Sequence, residues 1–251
     1  MRRVRSRRVR HNINFMDKPL FVTSNKLAKS QSYSDNSGFS MTVSNTHGLP
    51  TMFDKKVMYM ILAEVQRLNQ SVLKYDSIFE LLDNFNIPCS QKNYDRTLES
   101  LRKLATVTIT YEGETYYERP SDTRMRVQGF TSFHIIDNVK VTKQGIVLDI
   151  NSVFIRSNEQ LFSRSIPIMT LTKFTNAVAM RLFELTSKVI NSNSWSISLD
   201  KLQLKLGITY NDMRDARRSL DLAVKELQNL PEYKHFHYTI DKNKVVTFMK
   251  K

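Results

Sequence analysis

Ser90–Tyr111 reads SQKNYDRTLESLRKLATVTITY, and the change of period inside this stretch decides the fold. Ser90 is a good helix cap. After it, Tyr94, Leu98, Leu101 and Ala105 recur at the spacing of one helix face, with Lys92, Arg96, Ser100 and Lys103 opposite. From Thr106 to Tyr111 β-branched and aromatic residues alternate with period two, which predicts a strand. Glu112-Gly113 turns that strand toward Thr115–Tyr117, and more strands are expected at Met125–Ile136 and Gly145–Ile150.

Upstream, Thr51 and Asp54 have the spacing of a capping box, opening a helix to about Asn69. That helix is apolar almost all round, so it is expected to be buried between layers. A short helix over Asp76–Asn84 and a tight turn at Asn86-Ile87-Pro88 lead into Ser90. Lys29–Ser40, rich in Ser, Asn, Asp and Gly, reads as a loop.

The plan recurs downstream. Thr172 opens a helix to about Ile190, with Phe174, Val178, Leu182, Leu185 and Val189 inward, and Asn191–Ser194 breaks it. Trp195–Ile197 is a short strand, and Ser198 caps a helix that Gly207 stops. Thr209 and Asp212 pair as a second capping box for a helix to Asn229. His235–Ile240 and Val245–Met249 then form a hairpin around Asp241–Lys244. Three helices followed by a β-hairpin is the winged-helix variant of the helix-turn-helix, whose second paired helix enters the major groove. The expected class is α+β, with two tandem winged-helix domains at 20–150 and 151–251 behind a basic arm at 1–19.

Charge agrees with a polyanionic partner. Lys and Arg number 38 against 24 acids, a formal charge of +14 that a compact state tolerates poorly without one. Met1–Arg10 (MRRVRSRRVR) reads as a flexible arm touching phosphates, with an organelle presequence as the alternative. One cysteine, Cys89, excludes an internal disulfide or a cysteine-based metal site and points to a reducing compartment. The apolar runs fall short of a membrane span.

A recognition helix needs an apolar back and a polar front. The first helix offers Gln91, Lys92, Asn93, Arg96, Thr97 and Lys103, besides Arg102. The second offers Tyr210, Asn211, Arg214, Arg217 and Arg218, with Lys225 further on, and Asp215 and Asp221 interrupt its charge. Lys242 and Lys244 sit at the tip of the last hairpin, where a wing needs cations, and Arg119, Arg124 and Arg126 lie in the strand region of the first half. Arg can fork onto guanine, and Asn or Gln can pair with adenine.

The strings FVTSNKLAKS (21–30), GLPTMFDKKVMYMILAEVQRLN (48–69), NYDRTLESLRKLATVTI (93–109) and LTKFTNAVAMRLFELTSKVINSNSWSISLDKLQLKLGI (171–208) add a resemblance. Over roughly Leu20–Ile240 the chain resembles plasmid replication initiators grouped as replication initiator protein A. The resemblance implies two winged-helix domains that bind direct repeats in double-stranded DNA at a replication origin. It further implies opening of an AT-rich region with the host initiator ATPase, recruitment of the host replicative helicase, and a bacterial cytoplasmic setting. By the same resemblance, the first domain carries a homodimer surface; in some members dimers repress the initiator's own gene, whereas monomers initiate. The helices from Gln91 and Asn211 would read neighbouring major grooves, with the long helices from Asp54 and Thr172 as scaffold.

Two other function classes compete. A two-domain transcriptional regulator needs the same readout. A metal-dependent rolling-circle nickase would use His235 and His237, one face of a strand, with a tyrosine nucleophile. Tyr238 points the other way and no tyrosine–lysine helix follows, so an enzyme is not expected. No P-loop is present, His11, His47 and His134 are too scattered for a metal site, and no cofactor is expected. Glu64, Glu80 and Glu184 read as surface charges.

Overall fold

The computed structural model describes residues 8–35, 38–44, 46–85, 87–112, 129–159, 163–188 and 194–249. In chain order the elements are β1 (Arg8–Asn12), α1 (Ile13–Asp17), α2 (Asn25–Ala28), β2 (Ser32–Ser34), β3 (Phe39–Val43), α3 (Met52–Leu68), β4 (Val72–Tyr75), α4 (Ile78–Asn84), α5 (Gln91–Thr106), β5 (Val107–Glu112), β6 (Phe130–Phe133), β7 (Ile136–Thr142) and β8 (Gly145–Ile150). Then come α6 (Ser152–Glu159), β9 (Ser163–Pro167), α7 (Ile168–Lys173), α8 (Ala177–Lys188), β10 (Ser194–Ser198), α9 (Leu199–Leu206), α10 (Met213–Leu227), β11 (His237–Ile240) and β12 (Val245–Met249).

One topology occurs twice. Helix α3, strand β4, helices α4 and α5 and strands β7 and β8 make the first copy, its sheet ordered β4-β8-β7. Helix α8, strand β10, helices α9 and α10 and strands β11 and β12 make the second, ordered β10-β12-β11. In each, the strand after the first helix pairs antiparallel with the last strand of the hairpin. This is the winged-helix arrangement, so the fold class is the one the periodicity implied.

Local chemistry explains the boundaries. The Asp54 carboxylate accepts from Thr51 N at 2.6 Å and closes the capping box of α3. Asn69, left-handed at φ 53°, ends that helix. Gly207 stops α9 at φ 63°, and a side chain there would press on Pro19. The apolar faces of both modules join one core, running from Val57, Leu62 and Leu104 through Phe154 to Leu182, Leu202 and Leu220.

Several expectations need correction. The basic arm at 1–19 is structured from Arg8 onward: β1 pairs antiparallel with β9, because alternate residues Val9 and His11 are buried while Arg8 and Arg10 face out. Residues 1–7 lie outside the described residues. The loop at Lys29–Ser40 contains β2 and the start of β3, whose Phe39 and Met41 are fully buried. The strand after α5 is not a wing. β5 joins the sheet β2-β3-β5-β6, inserted between α5 and the true wing of β7 and β8. Thr115–Tyr117, Arg119, Arg124 and Arg126 lie outside the described residues.

The helix expected from Thr172 to Ile190 is two helices. Phe174 is buried but extended, at φ −60° and ψ 132°. The Glu226 carboxylate accepts from Thr175 N, Thr175 Oγ1 and Asn176 N at 2.7–3.0 Å, and Asn176 Oδ1 accepts from Val178 N at 2.8 Å. Polar side chains thus take over the backbone donors that a continuous helix would have used. Likewise Asp212 alone caps α10, accepting from Asp215 N at 2.8 Å, and Thr209 takes no part in that cap. The linking elements α6, β9 and α7 had no counterpart in the sequence reading.

Candidate nucleic-acid interface

Helices α5 and α10 hold the same position in the two modules, but their polar residues go to different places. In α5, Gln91 and Lys92 are exposed, and Gln91 Nε2 donates to Asp95 Oδ1 at 2.9 Å. Asn93 Nδ2 donates to Pro88 O at 2.8 Å, which ties it to the preceding turn. Arg96 is exposed and lays its guanidinium over the Phe53 ring at 4.0 Å. Arg102 is exposed as well.

Two α5 candidates do not face solvent. Thr97 is fully buried, and its hydroxyl has no partner among the described residues. Lys103 is buried with its ammonium 3.1 Å from Glu99 and 3.7 Å from Asp54. Ser100, placed on the polar front by spacing, is also fully buried. The reason is that α5 is flanked on two sides, by α3 and by strand β7, so its buried stripe is wider than one helix face.

In α10 the buried residues are Ala216, Leu220, Ala223, Val224 and Leu227, which leaves a broad open face. Arg214, Arg217, Arg218, Leu222 and Lys225 are exposed on it. The only ion pair described for these four cations is Arg214 with Asp212 at 3.8 Å. Asn211 is exposed, and its Nδ2 donates to Asp215 Oδ2 at 3.0 Å. Tyr210 faces inward instead: its hydroxyl donates to Ser219 Oγ at 3.2 Å, and burial pushes its pKa up.

The wing of the second module is shaped by Asp241, whose Oδ1 accepts from Asn243 N and Val245 N at 2.9 and 2.8 Å. This turn presents Lys242 and Lys244 to solvent, Lys244 at φ 59°. Strand β11 is tied to α10 through Tyr238, whose hydroxyl donates to Asp221 Oδ1 at 2.7 Å. The wing of the first module carries Lys140 and Lys143, both exposed. Sequence reasoning missed this pair because it set the wing too early, although the Lys143-Gln144-Gly145 turn was a visible signal.

The nickase geometry does not form. His235 precedes β11, and His237 Nδ1 lies 2.9 Å from the His235 carbonyl. Among the described residues no group of three metal-ligating side chains comes together, and no helix is long and apolar enough to cross a membrane.

Comparison with known proteins fits the geometry. The sequence model of the family described as replication initiator protein A matches residues 10–235. No curated protein sequence matches. A crystal structure of domains 2 and 3 of RctB superposes with a TM-score of 0.62 at 11% identity, covering 94% of this chain and 97% of that one. A second structure of RctB domains 2–3 gives 0.54 at 13% identity, over 85% and 86%. At such identities the likeness concerns the fold alone.

Proposed function

We propose, from the premise that this chain belongs to the replication initiator protein A family, that it is an initiator that binds repeated sites in duplex DNA at a replication origin. The observation that carries the reading is the open face of α10. Arg214, Arg217 and Arg218 stand exposed beside a wing tipped by Lys242 and Lys244. Four cations on one helix face, with Arg214–Asp212 the one ion pair described for them, favour a polyanionic partner. In this reading α10 lies in a major groove, with an arginine forking onto guanine, and the wing lysines hold the flanking backbone. Helix α5 contributes through Lys92 and Arg96, with Lys140 and Lys143 as its wing contacts. Thr97, Lys103 and Tyr210 are withdrawn from the interface because they face inward. Origin opening with the host initiator ATPase, helicase loading, homodimer formation and repression of its own gene follow the family resemblance and belong to the same proposal.

The test is footprinting on the DNA flanking the gene across a salt series. Ordered protection of repeated sites, with affinity falling steeply as salt rises, supports the reading. Protection confined to one promoter moves the assignment to a transcriptional regulator. Binding with no sequence preference removes it.

A further inference from the structure

The first helices of the two modules, α3 and α8, meet across a buried charged cluster. Glu184 of α8 is fully buried, and its carboxylate accepts from Lys55 Nζ and Tyr59 Oη of α3 and from Arg181 Nη1 at 2.9 Å. Lys55 and Arg181 are themselves almost completely buried. Burial pushes the Glu184 carboxyl up, but Lys55 and Arg181 outweigh it and hold the pKa down at about 2.

The cluster reaches the DNA-facing side through α9, the helix that precedes α10. Arg181 Nε donates to the Lys205 carbonyl at 2.7 Å. The neighbouring carbonyls of α9 are taken by the N-terminal segment: Tyr33 Oη donates to Leu204 O and Thr23 Oγ1 to Leu206 O, each at 2.9 Å, and Thr23 N to Gly207 O at 3.3 Å. The last three carbonyls of α9 and that of its cap Gly207 thus each accept from a group outside the helix, in addition to the Gly207 N–H that Leu204 O also takes.

Stability does not explain such a cluster. Burying three charges costs desolvation, and apolar residues of the same volume often serve a core equally well or better. Apolar packing is non-directional, whereas charged hydrogen bonds fix distance and angle. We infer that Glu184, Lys55 and Arg181 are positioning residues that set the distance and rotation between α5 and α10, and so the spacing of the two DNA segments the chain reads. The spacing clause rests on the proposed function, while the geometric clause does not.

The experiment separates the two. Cys89, exposed just before α5, and a cysteine introduced by Asn229→Cys, just after α10, take spin labels in the full chain. Distances are measured without DNA in the parent and in the triple variant Lys55→Met, Arg181→Met, Glu184→Met. The parent should give one narrow distribution. The variant should keep or raise its thermal midpoint while the distribution broadens or shifts. On DNA with two half-sites, inserting about five base pairs, half a helical turn, should cost the parent about 100-fold in affinity and the variant less than about tenfold. An unchanged distance distribution in the folded variant overturns the inference. If the triple variant does not fold, Glu184→Gln is read in the same way. A broadened distribution with no specific DNA binding by the parent supports the geometric clause and removes the DNA reading instead.

Discussion

Helices α5 and α10 occupy one place in two copies of the same topology, yet α5 buries Thr97, Ser100 and Lys103 whereas the buried residues of α10 are all apolar. The difference is not in helix propensity or capping, since both begin on a side chain that accepts from the third residue after it. It lies in the number of neighbours. An inserted sheet follows α5 directly, and α3 and β7 close over two of its flanks, whereas α10 packs mainly on α8. On these two helices, a charge that α5 turns in acts on stability, and a charge that α10 turns out acts on binding. Each prediction below asks whether that division holds.

Acid should produce the largest effect. His11 is fully buried against Tyr59, and its Nδ1–H donates at 3.1 Å to Asn158 Oδ1, which also accepts from Asn12 N. Burial, the leading cause, lowers its pKa to about 3. The neutral ring is therefore favoured in the folded state, so the contribution is intact above pH 6.5 and is lost as pH falls from 6.5 toward 3. The total loss is at most roughly 5 kcal/mol. Urea titrations at a series of pH values should show this slope, and His11→Asn should flatten it between pH 6.5 and 4.5. An unchanged slope would put the acid sensitivity elsewhere.

Next comes Lys103→Ala, which takes the ammonium away from the buried Asp54 carboxylate while leaving it its Thr51 hydrogen bonds, and should cost at most about 3 kcal/mol. Below its lowered melting point the variant should still bind DNA at parental affinity. A selective loss of DNA affinity would return Lys103 to the interface and break the contrast.

Arg217→Ala and Arg218→Ala should show the reverse. Thermal midpoints stay within about 1 °C, while base preference at one position falls by roughly 1–3 kcal/mol, read by competition between operator variants. Retained specificity in both would remove α10 as the reader. Lys242→Ala is expected to weaken all sequences alike and lower the slope of log affinity against log salt by about one. The smallest effect belongs to Thr97→Val. It replaces an unpartnered buried hydroxyl with a methyl, so stability should hold or rise slightly, and DNA binding should not change.

The sequence made the second module easier to read than the first. Ser198, Gly207 and the Asp241–Lys244 turn appear in the structure as caps and a wing because each acts through its own local backbone. The helix break at Phe174–Asn176 was hidden. Its cause is the Glu226 carboxylate, 50 residues away in sequence, and the apolar stripe runs on unbroken across it. The first wing was misplaced because the alternation of Val107–Tyr111 is equally good for any sheet. Only the pairing partners Phe39, Met41 and Val43 determine which sheet it enters.

By itself, then, the sequence determined helices α3, α4, α5, α9 and α10, the basic character of the chain and the repetition of one winged-helix plan, since periodicity and capping are local properties of the chain. The tertiary structure alone decided which polar residues are free to meet DNA. It also turned Glu184 from an apparent surface charge into the centre of the joint between modules. Exposure depends on what packs against a helix from elsewhere in the chain, and helical spacing carries no information about that.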